Sequence, residues 1–220
     1  MIRRGVIDAF PMLIPAIPFA FVIGVAVTEA QIGPVTGWSS APIIYAGAGQ
    51  LTLITLLGSG AAWAAAVTAA LVVNARHAMY SVALAPTFQR QPAWFRWVGS
   101  YLLIDQVFVL AERRKNDPPA AFRRYYLGVG LSFCVLWFLF IALGLVLGPV
   151  VPTGWGLEFA VPVMFTGMLI PGLDSSPKWV AVLVAAVVTV ACAGLPNRAG
   201  LLVGAVAGIV AGVLADRRRA

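Results

Sequence analysis

The chain has 220 residues, of which 61% are hydrophobic and 10% charged, with a formal net charge of +7 and a mean hydropathy of +0.93. A soluble domain averages about 45–50% apolar and about 25% charged residues, so these proportions exclude a soluble globular enzyme, and they exclude intrinsic disorder as well. What remains is an all-α polytopic membrane protein, a single transmembrane domain over residues 1–220. The basic residues sit in short connections and at both ends, which fits contact with anionic lipid headgroups and not nucleic acid. Cys134 and Cys192 lie in apolar runs and read as small core residues. One histidine and no CxxC leave nothing to hold a metal, and no motif asks for a cofactor.

A spanning helix needs about 20 mostly apolar residues. In chain order the candidates are 9–28, 41–58, 61–85, 97–111, 126–148, 158–172, 177–194 and 199–215, so seven or eight transmembrane helices are expected, several broken by Gly or Pro. In the first, Pro15 and Pro18 are expected to interrupt the helix. In the second, Tyr45-Ala46-Gly47-Ala48-Gly49-Gln50 places two glycines and a glutamine at membrane depth. In the sixth, Pro162, Gly167, Pro171 and Gly172 are further breaks. With eight spans and the N-terminus inside, one side carries Arg3, Arg4, Arg113, Arg114, Lys115, Arg123, Arg124, Lys178 and Arg217–Arg219, and the other only Arg90, Arg96 and Arg198. That asymmetry predicts both termini in the cytoplasm. The short loops, of which the longest are 31–40, 86–96 and 112–125, leave no room for an extramembrane catalytic domain.

Polar residues inside a membrane are costly, and so they are informative. In the third span, Asn74 and His77 are three apart and share a face that Ser81 continues, while Arg76 and Tyr80 form a neighbouring pair. Arg76 lies past the middle of its span, where it either snorkels to the edge or answers a buried carboxylate or an anionic substrate. In the fourth span Asp105 stands among apolar residues, within reach of Arg76 or His77 if consecutive spans pack antiparallel. Such a pair serves structure, function or both. Two short-range patterns remain. Residues 41–47 resemble 161–167 in the spacing of proline, apolar residues and glycine, a trace of parallel repetition. Gly200, Gly204, Gly208 and Gly212 stripe the last span and permit close approach of another helix, in this chain or in a second subunit.

Several of these segments together resemble one family. Tyr45–Gln50 is similar to an aromatic-Ala-Gly-Ala-Ser-Gln segment, with Gly49 in place of the serine. The run Asn74-Ala75-Arg76-His77-Ala78-Met79-Tyr80 is similar to an Asn-x-Arg-His-x-x-Tyr helix, and 81–86 continue it. Ile104–Phe108 resembles a Thr-Asp-Glu-x-Phe segment, with Gln106 in place of the second acid, and Glu158–Pro162 resembles Asp-Phe-x-x-Pro. The family is AzlC, the large subunit of bacterial branched-chain amino acid exporters. The resemblance implies an inner-membrane permease that exports leucine, isoleucine or valine with a small AzlD-type membrane subunit.

A zwitterion needs a place for its carboxylate, one for its ammonium and an apolar pocket. Gly47, Gly49, Gln50, Asn74, Arg76 and Tyr80 are the candidate substrate contacts, through side chains or through backbone freed where helices break. His77 and Asp105 are the candidate proton carriers. The sequence carries no ATP-binding motif, so proton antiport is the economical source of drive. The rival readings are a channel-like or accessory subunit, and a transporter of another small zwitterion. A membrane-embedded enzyme finds no nucleophile and base at a defensible spacing.

Overall fold

In the computed structural model, described for residues 1–150, 159, 162, 166, 169–194 and 199–217, all regular structure is helical. The chain divides into two units, Met1–Phe165 and Thr166–Ala220. The first holds α1 (Ile2–Glu29), α2 (Pro34–Ile44), α3 (Gly47–Gly58), α4 (Trp63–Asn74), α5 (Arg76–Gln89), α6 (Ala93–Tyr101), α7 (Asp105–Glu112) and α8 (Pro119–Leu147), the last extended by a 3-10 turn at Gly148–Val150. The second holds a 3-10 turn at Ile170–Gly172, then α9 (Ser176–Ala191) and α10 (Ala199–Arg217).

Within the first unit, α1 and α8 are long and apolar enough to cross a membrane. They lie side by side, and glycines let their backbones touch. At one end the Cα of Gly5 faces the Tyr125 carbonyl, and Gly128 in return faces the Ile2 carbonyl. At the other end Gly24 faces the Ile141 carbonyl and Gly144 faces that of Phe21. Both sets advance in the same direction, so the helices are parallel. Each contact is answered by its counterpart on the other helix. The sixth-span half of the sequence repeat, 161–167, lies outside the described residues apart from Pro162 and Thr166. Against expectation, Pro15 and Pro18 do not interrupt α1, which runs unbroken through them and through Pro11. A membrane helix tolerates prolines where neighbouring helices and local adjustments satisfy the freed carbonyls.

The end that carries Met1 and the start of α8 is called here the near end. From the far end, α2 begins with Gly37 against Val27 of α1. It ends at Tyr45, whose ring meets Phe138, in the interior of α8, at 5.6 Å. Then α3 turns back, and its last residue, Gly58, lies against Ala30 at the far end again. The Gln50 amide donates to Ser40 Oγ at 2.8 Å and ties the two arms together. Thus α2 and α3 form a hairpin, and the second expected span, 41–58, enters and leaves at one end.

Beside it α4 descends from the far end until Asn74 meets Gly49. A tight turn at Ala75, with 3-10 bonds from its N–H to Val72 and from Ala78 back to it, leads into α5. At the near end, Thr87 and Arg90 donate to the Lys115 carbonyl at 3.1 Å each, and the Gln91 amide donates to the Pro119 carbonyl. The pair α4–α5 therefore runs from one end to the other.

The next pair does not. Helix α6 starts at the near end, where Phe95 packs on Phe122 and Tyr126 of α8. It climbs until Leu102 lies against Gly130 and Tyr101 stacks on Tyr45 with centroids 5.2 Å apart. After the non-helical residues 102–104, α7 returns, and Arg114 just beyond it covers the Tyr125 ring at 5.1 Å. The fourth expected span, 97–111, is thus a second hairpin, inserted from the opposite end to the first. Its geometry also moves Arg90 and Arg96. Both lie at the near end with Arg3, Arg4, Arg113, Arg114, Lys115, Arg123 and Arg124. Between Met1 and Val150 no lysine or arginine lies at the far end.

The expected loops shrink accordingly. Helices begin early where proline occupies the first turn, at Pro34 and Pro119, since its missing N–H is not needed there. In the second unit, α9 and α10 form an antiparallel pair. Gly204 packs on Thr189, Gly208 on Ala185 and Gly212 on Ala181, so the glycine stripe seats α9 of the same chain.

Candidate functional site

The tips of the two hairpins and the turn of α4–α5 meet midway between the ends of the first unit. None of the three breaks sits on a glycine or proline. In the first tip, Tyr45 adopts the left-handed region at φ 38° and ψ 46°, and Ala46 is extended. A non-glycine residue there is strained by about 1–3 kcal/mol and persists only where its surroundings hold it. Stacking on Tyr101 and edge contact with Phe138 hold this one. In the second tip Ile104 is extended, and Asp105 opens α7. An acid in a first helical turn is favoured by the N–H groups and dipole there. Gly47 and Gly49, expected to make the first break, instead lie in the opening turn of α3 and admit neighbours. A Cβ on Gly47 would stand 2.6 Å from both Phe19 and Trp137, and one on Gly49 would strike the Asn74 amide.

The charged centre is a triad. Arg76 Nη2 lies 2.9 Å from Asp105 Oδ2, and the Tyr80 hydroxyl donates to Asp105 Oδ1 at 2.9 Å. Tyr80 is fixed from one side by Phe108, stacked at 4.4 Å, and from the other by the edge of His77 at 5.7 Å. Asp105 is 7% exposed. Arg76 therefore does not rely on snorkelling: its charge is answered at depth by a carboxylate, across two elements that meet only because both are broken there.

Two cavities flank the first tip. The smaller, about 10 Å³, is lined by Tyr45, Gly47, Ala48, His77, Asp105 and Trp137 among others. That is room for about one water molecule. The positive ends of α3 and α7 both finish at it, one from each side of the molecule. The C-terminal ends of α2 and α6 reach the same level. The larger cavity, about 530 Å³, is apolar along Ile43, Leu53, Val67 and Leu71, with Ser40 and Asn74 adding polar groups.

The sequence candidates thus separate. Gly47, His77 and Asp105 line the small cavity, with Arg76 and Tyr80 behind Asp105. Asn74 borders the large one, parted from His77 by the turn at Ala75. Its Oδ1 has no hydrogen-bond partner. Gln50, fully buried, braces the first hairpin instead of lining either cavity, and its Oε1 also lacks a partner. Residues that sequence reasoning left out of the candidate site are Tyr45, Gln106 and Trp137, all nine-tenths buried or more, which also line the small cavity. Trp137 had one available signal: it is a tryptophan at mid-membrane depth, far from the interface that its kind favours. Cys134 and Cys192 are free thiols.

A family profile described as AzlC protein matches residues 11–151, which include both hairpins and the triad. An "Uncharacterized membrane protein" of Archaeoglobus fulgidus is 28% identical over 177 residues, covering 79% of this chain and 76% of that one. "Inner membrane protein YgaZ" of Escherichia coli K12 is 27% identical over 222 residues, covering 96% of this chain and 87% of its own. No solved structure matches. The names of both relatives agree with an exterior that exposes large apolar side chains such as Phe10, Ile14, Leu71, Val82 and Val135.

Proposed function

The chain belongs to the AzlC family, and from that premise we propose that it is a secondary transporter of the bacterial inner membrane. It exports branched-chain amino acids by proton antiport, together with a small AzlD-type subunit. The observation that carries the transport reading is the convergence of three helix breaks, a buried ion pair and four half-helix ends at the middle of the first unit. Irregular backbone at membrane depth is tolerated only where it is buried in protein or lines a cavity. Discontinuous helices of this kind supply both signs of partial charge to a zwitterion, N–H groups from their starts and carbonyls from their ends.

In this reading α1 and α8 cross from inside to outside and α4–α5 crosses back between them. The two hairpins are re-entrant, one from each face. Parallel α1 and α8 require an odd number of crossings between them, and α4–α5 provides one. Nine basic residues at the near end, against none at the far end through Val150, support a cytoplasmic N-terminus. The apolar lining of the larger cavity suits a branched side chain. His77 and Asp105, beside the small cavity, are the groups to carry a proton, and the membrane potential supplies about 2.3 kcal/mol per charge per 100 mV.

Opposed re-entrant hairpins also suit a channel, which is the second reading. Leucine counterflow in proteoliposomes separates the two, with this chain alone and with the small subunit. Saturable exchange that valine competes for is expected. Folded protein that shows no exchange in either preparation would overturn the reading.

A further inference from the structure

Arg76 is the obvious seat for a substrate carboxylate, but its guanidinium is engaged 2.9 Å from Asp105. The small cavity beside that pair offers a different seat. Its wall includes the first residues of α3, Gly47 and Ala48, whose N–H groups precede any acceptor in their own helix. The positive end of α7 faces it from the opposite side. Asp105 also lines the cavity, and its charge is offset by Arg76 at 2.9 Å. A further donor completes it. Trp137 is 6% exposed, and its indole Nε1–H has no hydrogen-bond partner. The edge of the indole that carries this nitrogen also carries Cζ2, which would lie 2.8 Å from a Cβ on Gly47. A buried N–H without an acceptor costs about 1–3 kcal/mol and calls for an explanation.

We infer that the cavity between the two hairpin tips is a carboxylate site, formed by the start of α3, the start of α7 and the Trp137 N–H. The inference rests on the transporter reading for its substrate, a small zwitterion, and assigns the anionic half of that substrate to backbone and indole, not to Arg76. At about 10 Å³ the cavity admits no carboxylate as it stands, so the hairpin tips must part for substrate to enter. Binding at the point where the two hairpins touch ties occupancy to their separation, which is what alternating access needs.

The test uses the full chain in detergent and two fragments of leucine. One is 4-methylpentanoate, which keeps the carboxylate, and the other is isopentylamine, which keeps the ammonium. A ligand that binds the folded state raises the melting temperature in proportion to its occupancy. The carboxylate is expected to stabilise the wild type, and Trp137→Phe is expected to raise its half-saturating concentration about tenfold. The response to isopentylamine should be the same in both proteins. The inference is overturned if the carboxylate leaves the wild type unmoved, if W137F responds like the wild type, or if W137F weakens both fragments equally. The melt itself reports whether W137F is folded. If it is not, Ala48→Pro removes one N–H from the first turn of α3, where proline is tolerated, and the same three outcomes apply. Wild type that binds the carboxylate but shows no leucine counterflow would sink the export reading and leave the anion site standing.

Discussion

The pair α1–α8 and the two hairpins are made of similar residues and behave in opposite ways. Three prolines fail to break α1, while the first hairpin turns at Tyr45 and the second at a run of Leu-Leu-Ile, neither of which contains a helix breaker. Local propensity therefore does not decide which helix is continuous. Contacts do. In α1, backbone-to-backbone packing on α8 at Gly5, Gly24, Gly128 and Gly144 holds the helix continuous past its prolines. In the hairpins, aromatic stacking on Tyr45 and the ion pair at Asp105 hold the chain bent. The pair packs backbone on backbone, while the tips carry the strained and charged residues.

The sharpest way to break that comparison is to ask where the hairpins enter. Single cysteines at Val35, Ser59, Gln89 and Asn116, in a background where Cys134 and Cys192 are serine, read this with a membrane-impermeant thiol reagent on intact cells. Val35 and Ser59 flank the first hairpin and should both be labelled from outside. Gln89 and Asn116 flank the second and should both be protected until the membrane is opened. Ordinary crossings would split each pair, so the outcome is all or nothing.

Two substitutions then contrast the bent region with the continuous one. Asp105→Asn leaves Arg76 without its carboxylate at depth. Removing one partner of a buried pair costs about 3–5 kcal/mol. Thermal unfolding should show that loss, and leucine export should vanish while the protein still reaches the membrane. Export at the wild-type rate would remove Asp105 from the transport cycle. Gly144→Ala drives a methyl group into the Phe21 carbonyl, and neither backbone can yield without parting α1 from α8. Overpacking of this kind costs about 1–3 kcal/mol. Protein that remains folded should exchange leucine with an unchanged KM, because Gly144 lies about two helical turns beyond Trp137, the one group of α8 assigned to substrate. A raised KM would extend the site along α8 to the Gly24–Gly144 contact.

What the sequence revealed follows the same division. Charge at membrane depth is conspicuous, so a contact of Asp105 with Arg76 or His77 was legible in the sequence, while the Tyr80 hydroxyl as a donor to Asp105 was not. The glycine stripe of α10 was legible as a packing face. The hairpins were not, because hydropathy counts apolar residues and is blind to direction. Residues 34–58 are apolar enough for one crossing or for two half-length arms, and the sum is the same. Only the contact of Gly58 with Ala30, sequence-distant and backbone-close, tells them apart. The misplacement of Arg90 and Arg96 followed from that one ambiguity. The residue difference at Gly49 also gains a physical reading: the serine of the resembling segment would meet the Asn74 amide, whose Oδ1 here has no partner.

The smallest expected effect is at Tyr80, and it sharpens the comparison within the site itself. Tyr80→Phe deletes the hydroxyl that donates to Asp105 Oδ1 but keeps the ring that stacks on Phe108. Asp105 retains Arg76, so no charge is stranded. The loss should be that of one hydrogen bond to a charged acceptor, about 1.5 kcal/mol, visible as a modest drop in melting temperature. If Tyr80 only positions the carboxylate, the variant should export leucine with its KM unchanged and its rate lowered. If instead KM rises with stability intact, the hydroxyl reaches the substrate, and the site extends from the hairpin tips down the face of α5. The two outcomes differ in which constant moves, so a single kinetic series on proteoliposomes decides between a brace and a contact.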